Sequence, residues 1–144
     1  MRGLPGSGKS TTAKQITRKR GLVYSSDDYF MENGEYKFKA SKLKDAHVWN
    51  QQRTEDAMKR EEGLIVIDNT NVRKWEAKPY VKLAVDYGYK VQFVEPETPW
   101  KRDVSELVKR DSHGVPENII QRMSDQWEED FTVENILASK APWE

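Results

Sequence analysis

The sequence predicts an α/β domain in which a central parallel sheet is covered by helices. Three observations carry this. A glycine-rich phosphate-type loop opens the chain, short apolar runs alternate with helical patterns, and one run, Leu64-Ile65-Val66-Ile67, is apolar without interruption. A continuous apolar run of that length suits a strand buried on both faces, as parallel sheets require. Regular alternation of such runs with helices gives a sheet flanked by helices.

The elements follow in order. A helix is expected from the Lys9–Ser10 step to near Arg20, capped by Gly21. Leu22-Val23-Tyr24 reads as a short strand, and Asn33-Gly34 as a turn. A long helix is expected over 41–60, with Leu43, Ala46, Asn50, Arg53 and Ala57 on one face. Two polar groups inside that stripe need partners, which favours a structural network over an acceptor pocket. After Leu64–Ile67, a helix is expected from Lys74 to Tyr87, ending at Gly88, and a strand over Lys90–Glu95. Trp100, Val104, Leu107 and Val108 fall at i, i+4, i+7 and i+8, one face of a helix. Gly114-Val115-Pro116 breaks that pattern, and Ile119, Ile120, Met123 and Trp127 mark another helix.

Length and composition bound the function. The 144 residues fit one domain, spanning 1–144, with enough chain for a core. There is no cysteine, so disulfides, thiolate zinc sites and thiol nucleophiles are excluded, and two histidines, His47 and His113, are too few for a histidine-built metal site. No apolar run approaches the ~20 residues of a membrane span. No signal-peptide pattern opens the chain, so a cytoplasmic or nuclear location is expected. Net charge is zero, from 24 basic and 24 acidic side chains, but residues 1–20 carry six cations and no acid. A basic end beside a phosphate loop suits polyanions, although cations also suit a helix C-terminus.

Gly3-Leu4-Pro5-Gly6-Ser7-Gly8-Lys9-Ser10 matches the Walker A pattern G-x-x-x-x-G-K-[ST] in full. Glycines let successive backbone N–H groups curl into an anion nest, and the helix starting at Lys9 turns its positive end to the same place. Gly6, Ser7, Gly8, Lys9, Ser10 and Thr11 are therefore the expected phosphate contacts for ATP or GTP. Lys9 reaches the β- and γ-phosphates as a point charge, and the Ser10 hydroxyl is placed to ligate Mg2+. A phosphate loop normally leaves a buried strand, yet only Met1 and Arg2 precede Gly3. The first strand is expected to begin before residue 1, with further domains joined in a longer protein.

Ligands of an open parallel sheet sit beyond the carboxyl ends of its strands. Asp27 and Asp28 follow the strand Leu22–Tyr24, so either reaches the γ-phosphate side and suits accepting a proton from an attacking hydroxyl. Spacing does not separate the two, and a turn-capping pair reads equally well. Asp68 ends the buried run and is expected beside Ser10 at the magnesium. Arg110 closes the helix after Trp100 and is the candidate lid arginine, against a solvated face as the plainer reading. His113, beside Gly114, reads as a hinge or cap residue.

Together, the phosphate loop, Ser26-Asp27-Asp28-Tyr29, Ile67-Asp68-Asn69-Thr70-Asn71, Pro99-Trp100 and Glu106-Leu107-Val108-Lys109-Arg110 resemble the 5′-hydroxyl polynucleotide kinase family of P-loop kinases over nearly the whole chain. Within it, Ala46-His47-Val48-Trp49-Asn50, Trp75–Tyr80 and His113-Gly114-Val115 look like the kinase-like domain of the Nedd-four-binding protein two group. Val94–Trp100 also resembles the kinase-like half of myelin-type cyclic-nucleotide phosphodiesterases. The resemblance implies a P-loop kinase fold with a helical lid and transfer of the γ-phosphate of a purine nucleoside triphosphate to the 5′-hydroxyl of RNA or DNA. It maps the general base to Asp27 and the lid arginine to Arg110. It departs where the phage member carries an acceptor-binding arginine, since Phe30 stands here, and where that lid supplies a second arginine, since Asp111-Ser112-His113-Gly114 stands here. A small-metabolite or nucleoside kinase and a catalytically inactive nucleotide-binding module are the alternatives.

Overall fold

The computed structural model describes residues 1–18 and 20–144. Lys19, one of the cations of the basic N-terminal stretch, lies outside the described residues. The phosphate loop runs straight into helix α1 (Lys9–Thr17). Strand β1 (Leu22–Tyr24) pairs in parallel with β4 (Ile65–Ile67), register Leu22↔Ile65 to Tyr24↔Ile67. Between them come a 3-10 turn (Ser26–Phe30), a hairpin of β2 (Met31–Glu32) and β3 (Glu35–Tyr36), and the long helix α2 (Leu43–Lys59). Helices α3 (Lys74–Asp86), α4 (Val104–Arg110), α5 (Glu117–Asp125) and α6 (Val133–Ala138) follow. The parallel α/β arrangement expected from the sequence is present.

The hairpin turn is the Asn33-Gly34 pair, at φ 50 and 81. Two successive left-handed residues match the twist of the flanking strands. Helix α3 ends as expected, with Gly88 at φ 75 just beyond it.

The residues that feed the loop lie between β4 and the chain around residue 94. The Met1 amine donates to Ile67 O (2.9 Å), Gly3 N to Thr70 O (3.1 Å) and Arg2 N to Val94 O (2.8 Å). Arg2 is 4% exposed, with its guanidinium 3.3 Å from the Phe131 ring centroid and 4.1 Å from that of Trp127. It donates to the carbonyls of Asn71, Val72 and Glu128, which satisfies the buried charge.

Four expectations are corrected. Lys90–Glu95 forms no strand ladder; its inner neighbour is Met1–Gly3, which supplies a single backbone bond there, to Val94. Helix α1 stops at Thr17, and the left-handed residue that ends it is Arg18 (φ 44), not Gly21. Gly21 instead lies against Leu64, where a Cβ would meet the Leu64 side chain and carbonyl at 3.0 Å. The stripe from Trp100 is also interrupted. Asp103 caps α4 by accepting from Glu106 N, so Trp100 precedes the helix, Leu107 is fully buried and Val108 is exposed. On α2, Leu43 faces solvent and Thr54 takes the buried position instead.

Leu4, Val72, Leu107 and Ile120 form the core beneath the phosphate loop, with Trp100, Val104 and Met123 packed against them. A second cluster, Ala77, Val81 and Ile136, holds α3 against α6. The first cluster matters for the site, because it seats the loop and α4 on one set of apolar contacts.

Candidate functional site at the strand ends

The phosphate loop has the conformation an anion nest needs. Gly6 and Gly8 lie at φ 81 and 98, where side chains are disfavoured. A Cβ on Gly3 would sit 2.5 Å from Ser7 Oγ, and one on Gly6 would sit 2.5 Å from Leu107 O. The first glycine therefore makes room inside the loop, and the second lets α4 close on it. Thr98 Oγ1 donates to Ser7 O (2.7 Å) and Trp100 Nε1 to Gly6 O (3.1 Å). The loop's carbonyls are held from outside, while the N–H groups of the first turn of α1 lack intrahelical acceptors. Thr11 lies exposed in that turn. Ser7 Oγ is buried without a hydrogen-bond partner, an orphan in the cradle where a phosphate oxygen would rest.

Asp68 stands at the tip of β4, 4% exposed, its N–H donating to Tyr24 O (2.8 Å). Ser10 Oγ donates to Asp68 Oδ2 at 2.7 Å, and Lys9 Nζ lies 3.3 Å from Oδ1. The Lys9 contact is an ion pair without hydrogen-bond geometry, which leaves buried Oδ1 open to a further ligand. Among the described residues no group of three or more His, Cys, Asp or Glu side chains converges on a metal position. A hydroxyl and one carboxylate side by side fit a magnesium ion that keeps most of its shell as water and phosphate oxygens.

Asp27 and Asp28 part company at the turn after β1. Ser25 Oγ accepts from Asp27 N (3.2 Å), and Asp28 Oδ2 accepts from Ser25 N (3.4 Å), a reciprocal cap. Asp28 also receives Arg53 at 2.8 Å. Arg53 donates further to Ser25 O and Asn50 Oδ1, and its guanidinium lies 4.2 Å from the Tyr24 ring centroid and 4.0 Å from that of Trp49. Asn50 donates to Tyr80 OH, and Asn69 Oδ1 accepts from Ser26 N. Asn50 and Arg53 thus form the structural network expected of polar groups in an apolar stripe. His47 Nδ1 meets Ser26 Oγ at 2.9 Å on the same turn.

The Asp27 carboxylate takes no part in this scaffold. Tyr36 OH donates to Oδ1 (3.2 Å), and His113 Nδ1 lies 3.3 Å from Oδ2. Burial pushes the Asp27 pKa up, but the bond and charge of His113, the Lys9 charge and the Tyr36 hydroxyl outweigh it, and the net shift is down. His113 is shifted up from its ordinary 6.5, first by its bond to Asp27, against the opposing effect of burial. Burial and the Asp27 carboxylate raise Tyr36. The His113 and Tyr36 rings stack at 4.1 Å with 13° between planes.

His113 is therefore more than the hinge or cap residue expected. Asp111 closes α4, its two carboxylate oxygens accepting from the N–H groups of His113 (3.2 Å) and Val115 (2.6 Å). That clasp, with Gly114 at φ 67, presents the imidazole to Asp27. Sequence reasoning missed this partner because the contact joins residues 86 positions apart; the Asp-Ser-His-Gly run was its only local trace. Arg110 is half-exposed and engaged with its own helix and Trp100. Its guanidinium lies 3.6 Å from the Trp100 ring centroid and 3.3 Å from Glu106. The structure thus gathers Lys9, Ser10, Asp68 and the loop glycines, sets Asp27 at the neighbouring strand end, and leaves Arg110 on Trp100 and Glu106.

A parallel α/β core, a phosphate loop and a carboxylate at the adjoining strand tip define a P-loop nucleotide-binding, kinase-like domain. A family model described as an AAA domain matches residues 1–132, and the chain belongs to that family. It is 44% identical over 144 residues to NEDD4-binding protein 2 of Homo sapiens, covering 99% of this chain and 8% of that protein. It is 28% identical over 134 residues to the 2',3'-cyclic-nucleotide 3'-phosphodiesterases of Rattus norvegicus and Mus musculus, covering 91% of this chain and 31% of theirs. The chain thus spans less than a third of each of these relatives.

Proposed function

We propose that this domain is a polynucleotide 5′-hydroxyl kinase, which transfers the γ-phosphate of ATP or GTP to the 5′-hydroxyl end of RNA or DNA. The observation that carries this reading is the division of labour in the Asp pair. Asp28 is consumed by the cap and Arg53, whereas Asp27 presents both oxygens to side chains that a substrate can displace. A carboxylate held ionised at the end of the strand beside Asp68 suits orienting the attacking hydroxyl and taking its proton as the O–P bond forms. The similarity to a cyclic-nucleotide phosphodiesterase supports a nucleotide-type acceptor, and the ordered motifs support the polynucleotide kinase class.

In this mechanism Asp27 takes the proton of the attacking 5′-hydroxyl and fixes its line of approach. The new O–P bond forms as the bond from Pγ to the bridging oxygen breaks, and the nucleoside diphosphate departs with that electron pair. Lys9 and the loop N–H groups face the charge that gathers on the transferring group and the leaving oxygen. Ser10 and Asp68 would hold Mg2+, which supplies charge neutralisation when bound. Arg110 acts after leaving Trp100, as a side chain of the mobile lid.

The test offers nucleoside triphosphate labelled in the γ-phosphate with 5′-hydroxyl RNA, 5′-hydroxyl DNA and mononucleosides in parallel. Label should appear on the oligonucleotides. Label on mononucleosides alone would make this a small-molecule kinase, and nucleotide binding with no transfer would make it a binding module.

A further inference from the structure

The surface next to Asp27 is unusually rich in aromatic rings and lysines. Six rings run in contact from Trp49 through Tyr29, Phe30, Phe38 and Tyr36 to His113, with centroid spacings of 5.6, 5.6, 5.1, 6.3 and 4.1 Å. The last two steps are near-parallel, at 15° and 13°, so Phe38, Tyr36 and His113 present a graded stack that ends at Asp27. Phe38 is 50% exposed, and Tyr29 38%. Leaving Phe38 and Tyr29 in water gives up favourable burial, which suits a surface that a ligand covers. Its core role is already filled by buried Phe30, so fold stability does not require Phe38 outside.

Charge says what the surface contacts. Residues 36–44 read Tyr-Lys-Phe-Lys-Ala-Ser-Lys-Leu-Lys, four lysines and no acid. Lys37 and Lys42 meet Glu32 and Asp45 at 3.6 Å, in pairs more than half exposed, which contribute little. Lys39 and Lys44 are exposed and form no ion pair among the described residues. Rings interleaved with cations match a single-stranded nucleic acid, whose bases offer planar faces and whose backbone offers one anion per nucleotide. A duplex keeps its bases stacked inside and offers this surface no free faces.

We propose that residues 36–44, with Phe38 as the stacking platform, form the binding track for the single-stranded end of the acceptor. The first bases behind the 5′-hydroxyl stack on Phe38, and Lys39 and Lys44 meet the phosphates that follow. This rests on the polynucleotide reading above and adds to it the preference for an unpaired end.

The test is anisotropy of a 3′-fluorescein-labelled, ten-nucleotide 5′-hydroxyl single strand, with blunt duplex as a second ligand. Phe38→Ala should weaken single-strand binding about 5- to 150-fold, the range for loss of one base stack. Lys39→Ala/Lys44→Ala should flatten the slope of log affinity against log salt by about 1.4. Both variants should bind a fluorescent ATP analogue as the unaltered chain does, which separates the effect from misfolding. Equal oligonucleotide affinity in both variants, or a blunt duplex bound as tightly as the single strand, would overturn the track. If single strands bind through Phe38 but receive no phosphate, the track stands and the kinase reading falls. If phosphate is transferred and Phe38→Ala leaves the oligonucleotide KM unchanged, the kinase stands and the track falls.

Discussion

Ser10 Oγ donates a 2.7 Å hydrogen bond to Asp68 Oδ2, which ties the first turn of α1 to the tip of β4 across 58 residues of sequence. This contact sets the distance between the phosphate cradle and the strand ends.

Lys9→Ala should sharply reduce phosphate transfer while the domain stays folded. The side chain is a charge in the cradle and lies outside the apolar core. Loss of one such group should lower the rate by roughly 10² to 10³. It also leaves Asp68 Oδ1 without its cation, so thermal stability should fall modestly. Circular dichroism and the labelled-phosphate assay on the same preparation check both; retained activity would remove Lys9 from the site.

Asp27→Asn and Asp28→Asn should fail differently. Asp27→Asn should bind nucleotide normally and lose about 10² to 10⁴ in transfer rate, the usual contribution of a general base. Asp28→Asn should spare the chemistry but weaken the turn, since Asp28 caps Ser25 N and pairs with Arg53. The expected stability loss is about 1 kcal/mol, from the cap and a half-exposed ion pair. Thermal melts and single-turnover rates for the two variants decide this; equal transfer by Asp27→Asn would make Asp27 a structural residue.

Arg110→Ala should lower the turnover rate far more than nucleotide affinity, by on the order of 10³. In this structure Arg110 rests on Trp100 and Glu106, so the proposed role requires it to leave both. The quenching of Trp100 fluorescence should therefore change on nucleotide binding in the unaltered chain, and less so in Arg110→Ala. Unchanged kcat would return Arg110 to an ordinary surface cation.

The His113–Asp27 contact should depend on pH with a defined sign. His113 is raised above 6.5, so its contribution to stability is complete below 6.5 and is lost as pH rises through the raised value. Asp27 is lowered below 3.8, so its contribution is complete above 3.8 and is lost as pH falls through the lowered value. The segment that carries His113 should be held most firmly between those limits and loosen as pH rises through the raised His113 value. Titration of the His113 imidazole by NMR should give a value above 6.5 that drops in Asp27→Asn. No difference between the two proteins would show that the pair is not coupled.

The sequence by itself determined the parts whose cause is local. The Gly3–Ser10 spacing dictated a left-handed, glycine-dependent loop leading into a helix, and Gly6 and Gly8 do lie at positive φ. The uninterrupted run ending at Asp68 dictated a strand with a carboxylate at its tip, but of the expected two-sided burial only Val66 is buried, and Leu64 lies exposed before the strand. Periodicity likewise placed α2 and α3, because backbone hydrogen bonding and apolar spacing are properties of neighbouring residues. The tertiary structure decided whatever depends on partners distant in the chain. It gave Asp27 and Asp28 different partners, since Arg53 on α2 pairs with Asp28 and His113 after α4 meets Asp27. It also moved the end of α1 from Gly21 to Arg18, reserving Gly21 for close approach to Leu64. It left Lys90–Glu95 without a ladder, because a strand exists only through the bonds its neighbours offer. Side-chain type and spacing fix which groups are available, whereas pairing across the fold fixes which partners each of them meets.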